Sequence, residues 1–375
     1  MGKSNDDGTF EIGLRMIDVL RSASLFVAVL GSLVLVHEIG HYLTARYFGV
    51  RVLEFGIGFP PRVFKVVLNG TTYSLNAIPL GGFVRLLGEE DPSAPMSLAS
   101  KNVIQRTVIL LAGPGMNLLV AIVLLSAVYT VPHDVVQAKV MVESIIPGGS
   151  AEIAGLKQGD QVLAVGDRQI THSQDLIYQV HMSLGDTGVW KIARTTGHGV
   201  EEMDILVTPR TEWPAGEGPT GITIANSDQE IVRRSFSVPQ SVAKALSQIW
   251  DMILMIKRGI TGFVFGSSSG EVEFAGPVGI AQMTGEVSKI GIMPLVAFVA
   301  SLSLSLAVIN VLPIPGLDGG RLFFIVLEVL RGGSRVAPHQ EAFVHFLGIM
   351  LLVSLFIIVS YHDILRLMDG KTFLG

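Results

Sequence analysis

The sequence predicts a polytopic α-helical membrane protein with about four transmembrane helices, a membrane-associated β-hairpin loop and an inserted small α+β domain. Composition is the first observation behind this prediction. Of the 375 residues, 49% are hydrophobic and only 16% are charged, whereas ~25% charged residues are usual in soluble domains. The mean hydropathy is +0.54, which is typical of a membrane protein and not of a protein with a single soluble core. Most of the chain is therefore expected to lie in a bilayer.

Charge and cysteine content exclude several classes of function. The net charge is -5 and no run of basic residues occurs, so no nucleic-acid partner is expected. The chain has no cysteine, which excludes disulfides, thiolate metal sites and a cysteine nucleophile. The first apolar run lacks a small-residue cleavage site, so no cleavable signal peptide is expected.

Apolar segments that approach the ~20 residues needed to cross a bilayer define the domain organisation. The connections after the first and third spans carry more Lys and Arg than the opposite face, which includes the N-terminal lead, so those two connections are predicted to be cytoplasmic. The predicted order is an N-terminal lead at 1–21, spans at 22–48, 103–131, 290–320 and 342–363, a hairpin loop at 49–102, an α+β domain at 136–210, a linker with an amphipathic surface helix at 211–289, and a C-terminal tail at 364–375.

The first connection, residues 49–102, carries β-forming runs on both sides of Asn69-Gly70. This dipeptide between such runs is a strong hairpin signal. Its apolar character indicates a sheet at the cytoplasmic membrane face. An ordinary amphipathic hairpin without a role in catalysis fits the same pattern.

The outer segment contains a strand–turn–helix pattern from Gly148 to Val165 that resembles a PDZ domain of the kind attached to bacterial proteases. Such a domain accepts an extended peptide as an added strand. Two interpretations stay open, because it either binds a peptide C-terminus or only obstructs access to the membrane site. The helical pattern around Trp250 predicts a helix on the membrane surface or one packed on the PDZ-like domain.

The first span contains His37-Glu38-Ile39-Gly40-His41. Residues four apart share a helix face, so both imidazoles can bind one ion, and Glu38 lies beside them as a base. Ionisable groups at membrane depth are costly and indicate a functional site. The alternatives are a chance match and a set of helix–helix hydrogen-bonding groups.

A third ligand is needed, since hydrolytic zinc sites use three protein ligands and water. Asp318 follows the long uncharged third span, which ends in a proline-containing segment. The first and third spans run in the same direction, so their later ends reach the same depth. Asp318 is therefore predicted to complete a Zn²⁺ site, the alternative being a helix cap at the interface.

Together, His37-Glu38-x-x-His41 and Asn310-x-x-Pro313-x-Pro315-x-Leu317-Asp318-Gly319 resemble the site-2 protease family of intramembrane zinc metalloproteases. The PDZ-like insertion makes the chain similar to its bacterial regulator-of-sigma-E protease branch, here with a single PDZ domain. The similarity includes residues 113–117, Gly-Pro-Gly-Met-Asn, and residues 276–280. Some relatives carry two tandem PDZ domains, so their double-module filtering of substrates is not expected here.

The resemblance implies specific roles for the site residues. It implies that Glu38 is the catalytic general base and that zinc is bound by His37, His41 and Asp318. It also implies substrate-binding roles, with the substrate chain held by Asn310 and the cleft shaped by the loop of Pro313 and Pro315. A polar contact between helices is the alternative for Asn310, and residues 113–117 are assigned to packing or helix distortion.

The implied function is hydrolysis of peptide bonds within transmembrane segments of single-span membrane proteins. Pre-trimmed anti-sigma factors and remnant signal peptides are the implied substrates. The implied location is the bacterial inner membrane, with a periplasmic PDZ-like domain and an active site near the cytoplasmic face. The alternatives are a membrane zinc protease acting on cytoplasmic loops and a non-catalytic PDZ-bearing membrane adaptor, although an adaptor has no need for all four metal-site residues.

Overall fold

A computed structural model describes residues 6–89, 93–197, 199–214, 217–265 and 275–368. The helices are α1 (Asp6–Tyr47), α2 (Val103–Thr130), α3 (Ser150–Ile153), α4 (Ser173–Met182), α5 (Val238–Phe265), α6 (Pro277–Ile290), α7 (Ile292–Val311), α8 (Asp318–Leu330) and α9 (Pro338–Met368). The strands are β1 (Val52–Leu68), β2 (Thr71–Leu86), β3 (His133–Ile145), β4 (Gln161–Val165), β5 (Arg168–Gln169), β6 (Gly188–Thr196), β7 (Gly199–Val207) and β8 (Ile222–Arg234). The chain forms two compact units, Met1–Val128 with Phe274–Gly375, and Tyr129–Glu273.

Helices long and apolar enough to cross a membrane dominate the first unit. Within the described residues there are four, Ile17–Tyr47, Val103–Thr130, Ile292–Val311 and Pro338–Met368. Leu351, Phe356 and Ile357 of α9 are exposed, as expected of side chains that contact lipid. The prediction of a polytopic helical membrane protein with about four spans is confirmed.

The predicted third span, 290–320, is wrong at its later end, because the structure divides it into two helices. α7 ends at Val311, and α8 begins at Asp318. Pro313 and Pro315 lie between them, and proline cannot continue the hydrogen-bonded helix ladder. The new helix start places the carboxylate of Asp318 at a helix N-terminus, where negative charge is favoured.

α6 lies inside the segment that the sequence assigned to a linker and a surface helix. The buried carboxylate of Asp363 in α9 caps the N-terminus of α6. It accepts hydrogen bonds from the backbone N–H groups of Gly276 at 3.3 Å and Gly279 at 2.7 Å. This side-chain cap comes from a distant part of the sequence. The local start signal of α6, Gly276 followed by Pro277, was present in the sequence but was not used to predict a helix there.

β1 and β2 pair antiparallel through a turn at Asn69 and Gly70, both with positive φ. β2 then folds back on itself, so that its two ends flank the first part of β1. Gly56 pairs with Ser74 on one side and with Phe83 on the other. The turn end of the pair exposes apolar side chains, Val63, Phe64, Val67 and Leu68 among them.

The second unit is an α+β fold around a six-stranded sheet in the order β7-β6-β4-β3-β8, with β5 on β4. Its core contains Trp190, Val140 and Val162, none of which has exposed surface. α4 begins with a capping box between His172 and Asp175. α5 is tied to this unit by an ion pair of 2.6 Å between Arg168 and Asp251.

The predicted boundary of the α+β domain at residue 210 is wrong. β8 lies in the segment assigned to a linker, and it pairs with β3 from Ile222 to Arg234. Ile222 and Ile224 pack against the core of the sheet. The proline- and glycine-rich stretch that indicated a linker is only the connection to this last strand.

Candidate metal centre

Three potential ligand atoms converge where α1, α2 and α8 meet. The Nε2 atoms of His37 and His41 lie 3.1 Å apart. Oδ2 of Asp318 lies 3.0 Å from the first and 3.2 Å from the second. Both histidines are buried and Asp318 is half-buried. These are the same three residues that the sequence analysis predicted as metal ligands.

Two glycines allow α1 and α2 to come together at this point. A Cβ atom on Gly40 would lie 2.3 Å from the carbonyl oxygen of Ala112. A Cβ atom on Gly113 would lie 2.3 Å from Nε2 of His41 and 2.6 Å from Nε2 of His37. The imidazoles therefore occupy the space that any larger residue at position 113 would fill.

Asp318 is brought to the histidines by the loop between α7 and α8, which α9 holds in place. The Nδ1 atom of His345 accepts a hydrogen bond from the backbone N–H of Gly316 at 2.9 Å. His345 is itself buried in α9. Sequence reasoning did not single out His345, because a lone histidine in an apolar helix gives no sign of its partner.

A cavity of about 310 Å³ opens beside the three ligand atoms. Glu38 and Asn310 line it with the ligands, and Phe83 and Val84 of β2 form another wall. A Cβ atom on Gly82 would lie 3.8 Å from Cγ of Glu38, so the β2 backbone passes close to this carboxylate. The sequence predicted the hairpin but not the approach of β2 to Glu38, since that contact depends on the fold-back of β2.

The remaining predicted site residues lie near the cavity with different contacts. The Nδ2 atom of Asn310 donates to the carbonyl of Leu306 in its own helix at 2.9 Å. The side chain thus makes an intrahelical bond, not the helix–helix contact considered as its alternative. Pro313 and Pro315 lie in the α7–α8 loop, whose residues Gly316 and Leu317 line the cavity.

The donor set fits a zinc ion, which binds imidazole nitrogen and carboxylate oxygen in hydrolytic sites. His41 shows the orientation that a ligand needs. Its Nδ1 lies 2.8 Å from the carbonyl oxygen of Ile109 and donates its N–H there, which leaves the lone pair of Nε2 directed at the cluster. Sequence reasoning missed this orienting carbonyl, because backbone partners leave no residue-type signal.

Two buried histidines on a membrane-spanning helix, a half-buried carboxylate beside them and a neighbouring glutamate define a membrane metalloprotein with a hydrolase-type site. Comparison with known families agrees, since the profile described as Peptidase family M50 matches residues 25–355. The chain belongs to peptidase family M50, the site-2 protease family.

Individual relatives are similar over nearly the whole chain. "Zinc metalloprotease RasP" of Geobacillus kaustophilus is 28% identical, in an alignment that covers 93% of this chain and 99% of the relative. "Putative zinc metalloprotease CPE1693" of Clostridium perfringens is 32% identical, covering 89% and 96%. "Membrane metalloprotease ARASP, chloroplastic" of Arabidopsis thaliana is 31% identical, covering 91% and 78%. The first two names support the prediction of Zn²⁺ as the cofactor.

Proposed function

We propose that this protein is an intramembrane zinc metalloprotease that hydrolyses peptide bonds within transmembrane segments of single-span membrane proteins. The observation that carries the proposal is the convergence of His37, His41 and Asp318 at 3.0–3.2 Å within a unit of membrane-spanning helices. Membership of peptidase family M50 supports the same reaction.

In this proposal His37, His41 and Asp318 hold the zinc ion. When bound, zinc lowers the pKa of water toward neutrality and polarises the scissile carbonyl. Glu38 follows His37 in α1 and lines the same cavity, so its carboxylate is placed to act on a water molecule beside the ligands. It takes a proton from the attacking water and delivers it to the nitrogen of the leaving amine.

The substrate has to be extended before it is cut, because a helical peptide bond is protected by its own hydrogen bonds and the surrounding turns. The β2 backbone near Phe83 and Val84 lines the cavity, where it supplies strand pairing for the unwound segment. Asn310 gives up its bond to Leu306 and binds the substrate backbone. The loop of Pro313 and Pro315 shapes the cleft around the scissile bond.

The second unit serves as a single PDZ-like domain that controls access or recruits a peptide C-terminus. Its six-stranded sheet with α4 alongside supports this assignment. With this domain the protein falls in the regulator-of-sigma-E protease branch, whose substrates are anti-sigma factors trimmed on the outside and remnant signal peptides. We place it in the bacterial inner membrane, with the PDZ-like domain periplasmic and the active site near the cytoplasmic face.

Two other functions compete with this proposal. A membrane zinc protease for cytoplasmic loops would also need a zinc site beside a glutamate, but a cavity lined in part by membrane-spanning helices favours a substrate that lies in the bilayer. A non-catalytic adaptor would not need the ligand cluster. The cleavage experiment below distinguishes all three.

The test is cleavage of a tagged single-span substrate that lacks its outer domain, by purified wild type and by Glu38→Gln. Wild type is expected to cut inside the span, whereas the variant is expected to bind zinc and leave the substrate intact. Cleavage outside the span indicates a loop protease. Equal cleavage by both proteins contradicts the role of Glu38, and no cleavage by a zinc-loaded wild type indicates an adaptor.

A further inference from the structure

Asn117 of α2 is a polar residue at the metal centre to which the sequence gave no catalytic or ligand role. It is only 1% exposed, and its Nδ2 atom lies 3.4 Å from Nδ1 of His37. Its other amide atom, Oδ1, has no hydrogen-bond partner among the described residues. A buried polar atom without a partner calls for a physical explanation.

The proton on His37 decides which of the two amide atoms faces its Nδ1. Its Nε2 is the atom in the ligand cluster, at 3.0 Å from Asp318 and 3.1 Å from His41. A neutral imidazole that binds a metal through Nε2 carries its proton on Nδ1, so Nδ1 must donate a hydrogen bond. An amide nitrogen also donates and cannot be its partner. Exchanging the two ends of the amide by a half-turn, which hardly changes its shape, places Oδ1 beside Nδ1.

We propose that Asn117 is a positioning residue of the metal centre, whose Oδ1 accepts the Nδ1–H of His37 and so fixes the tautomer and orientation of that ligand. This inference rests on the proposed function, because it requires that His37 binds the metal. Asn117 touches neither the metal nor the substrate. It acts only through the ring of His37.

The surroundings of Asn117 support this role. Ile109, Gly113 and Asn117 are spaced one helical turn apart and share one face of α2. The backbone carbonyl oxygen of Ile109 accepts a hydrogen bond from Nδ1 of His41 at 2.8 Å, and the missing side chain of Gly113 leaves space for both imidazole rings. α2 therefore presents one partner to each histidine. The motif at residues 113–117, assigned from sequence to packing, contributes directly to the centre.

A second contact fixes the backbone of Asn117. The hydroxyl of the fully buried Ser303 in α7 donates to the carbonyl oxygen of Asn117 at 2.7 Å. This bond holds the main chain at position 117 without touching His37. Ser303→Ala therefore makes a matched control, since it disturbs the same helix contact and leaves the amide in place.

The test measures zinc affinity of the full-length protein in detergent, with metal removed and then returned in competition with a chelator. Asn117→Leu keeps the approximate volume but removes the acceptor, so zinc affinity is expected to fall ~10–100-fold. Asn117→Asp restores an acceptor, and its affinity is expected to stay near that of wild type. Ser303→Ala is expected to match wild type. Visible spectra of the Co²⁺-loaded proteins report the ligand geometry independently of activity.

A wild-type affinity and Co²⁺ spectrum for Asn117→Leu would overturn the inference while leaving the proposed function intact. Equal losses of zinc affinity in Asn117→Leu and Asn117→Asp would also overturn it, because a residue that only packs would not distinguish a hydrogen-bond acceptor from an apolar side chain. If Asn117→Leu does not fold, Asn117→Ala takes its place, and a weakened zinc affinity in Asn117→Ala beside a retained affinity in Asn117→Asp supports the inference, whereas equal affinities in the two variants overturn it. A wild type that binds no zinc contradicts both the inference and the proposed function.

Discussion

Gly113 shows how a single residue without a side chain shapes the metal centre. The Nε2 atoms of His37 and His41 approach its Cα so closely that a Cβ atom would lie 2.6 Å or less from each. Real Cβ atoms essentially never make such contacts. The site therefore depends on the absence of an atom as much as on the presence of its ligands.

Gly113→Ala is expected to abolish or strongly reduce zinc binding and cleavage, because the added methyl group displaces the imidazoles. Gly115→Ala is the matched control, since a Cβ atom there meets nothing within 4 Å. The same substitution two residues away should leave zinc content unchanged. Metal analysis of the purified proteins checks both, and equal zinc content in the two variants would contradict the geometry.

Asp318→Asn is expected to lower zinc content as well as activity, because it removes the charged ligand atom that lies 3.0 Å from His37. The control is Asp363→Asn, which alters a buried carboxylate that caps α6 away from the cluster. That variant should lose stability but keep its zinc. Unchanged zinc occupancy in Asp318→Asn would mean that another residue is the third ligand.

At the scale of elements, a buried ion-pair network joins α2 to α8. The carboxylate of Glu328 accepts two hydrogen bonds from Arg106, at 2.8 and 2.9 Å, and one from Arg335 at 3.1 Å. Burial alone raises the pKa of Glu328, but these hydrogen bonds outweigh burial and hold the pKa below its ordinary value. The ionised form of Glu328 therefore stabilises the folded protein.

Glu328→Gln is expected to lower the unfolding free energy by about 3–5 kcal/mol at pH 7, because it leaves buried guanidinium charge uncompensated. A lowered folded-state pKa gives stability that is present above the unfolded glutamate pKa of ~4.3 and is lost as pH falls through the folded value. The difference between wild type and variant should therefore shrink below about pH 4.3.

Thermal unfolding in detergent between pH 7 and pH 3 measures this difference. Glu230→Gln, on the exposed surface of β8, serves as the control and should match wild type throughout. A difference in stability between wild type and Glu328→Gln that stays constant down to pH 3 would contradict the stabilising role of ionised Glu328.

Sequence patterns predicted elements well where one local signal decides and poorly where distant residues decide. The long apolar runs of α1, α2 and α9 identified their spans, because burying uncharged residues in lipid requires only composition and length. α6 has a local start signal in Pro277 that was not used, while the carboxylate that caps it belongs to Asp363 in α9. The fold-back of β2 was missed because it depends on a distant partner, Gly56 of β1, which pairs with Phe83.

The site divides in the same way at the residue scale. The motif of His37, Glu38 and His41 and the position of Asp318 carry ligand chemistry in their residue types, which is why the sequence could single them out before their proximity was known. Asn117 and His345 act through hydrogen bonds to one imidazole and one backbone N–H. Such partners are chosen by proximity in the fold, which the sequence alone did not reveal.

At the scale of the whole molecule, the chain divides into a membrane unit and the unit Tyr129–Glu273. This division changes how the second unit should be removed. Deleting only 136–210 would leave β8 and the start of β3 without the rest of their sheet. A clean deletion removes 129–273 and joins the remaining ends with a flexible linker.

The clean deletion is expected to keep its zinc, because every ligand lies in the membrane unit. If the removed unit filters substrates by size, the variant should cleave substrates with and without an outer domain equally well. Cleavage assays with both substrates, beside wild type, make the comparison. A loss of cleavage for both substrates would show that the unit recruits substrates or supports the fold.

The close crossing of α1 and α2 at Gly40 and Gly113 also limits how a substrate reaches the cavity. Moving these helices apart would separate His37 and His41 from their α2 partners, so the path of entry cannot pass between them. The other lining residues belong to β2, to the end of α7 at Asn310, and to the α7–α8 loop with the start of α8. Since the α7–α8 loop also carries Asp318 to the histidines, β2 is the element whose displacement would admit a substrate and leave the three predicted ligands in place.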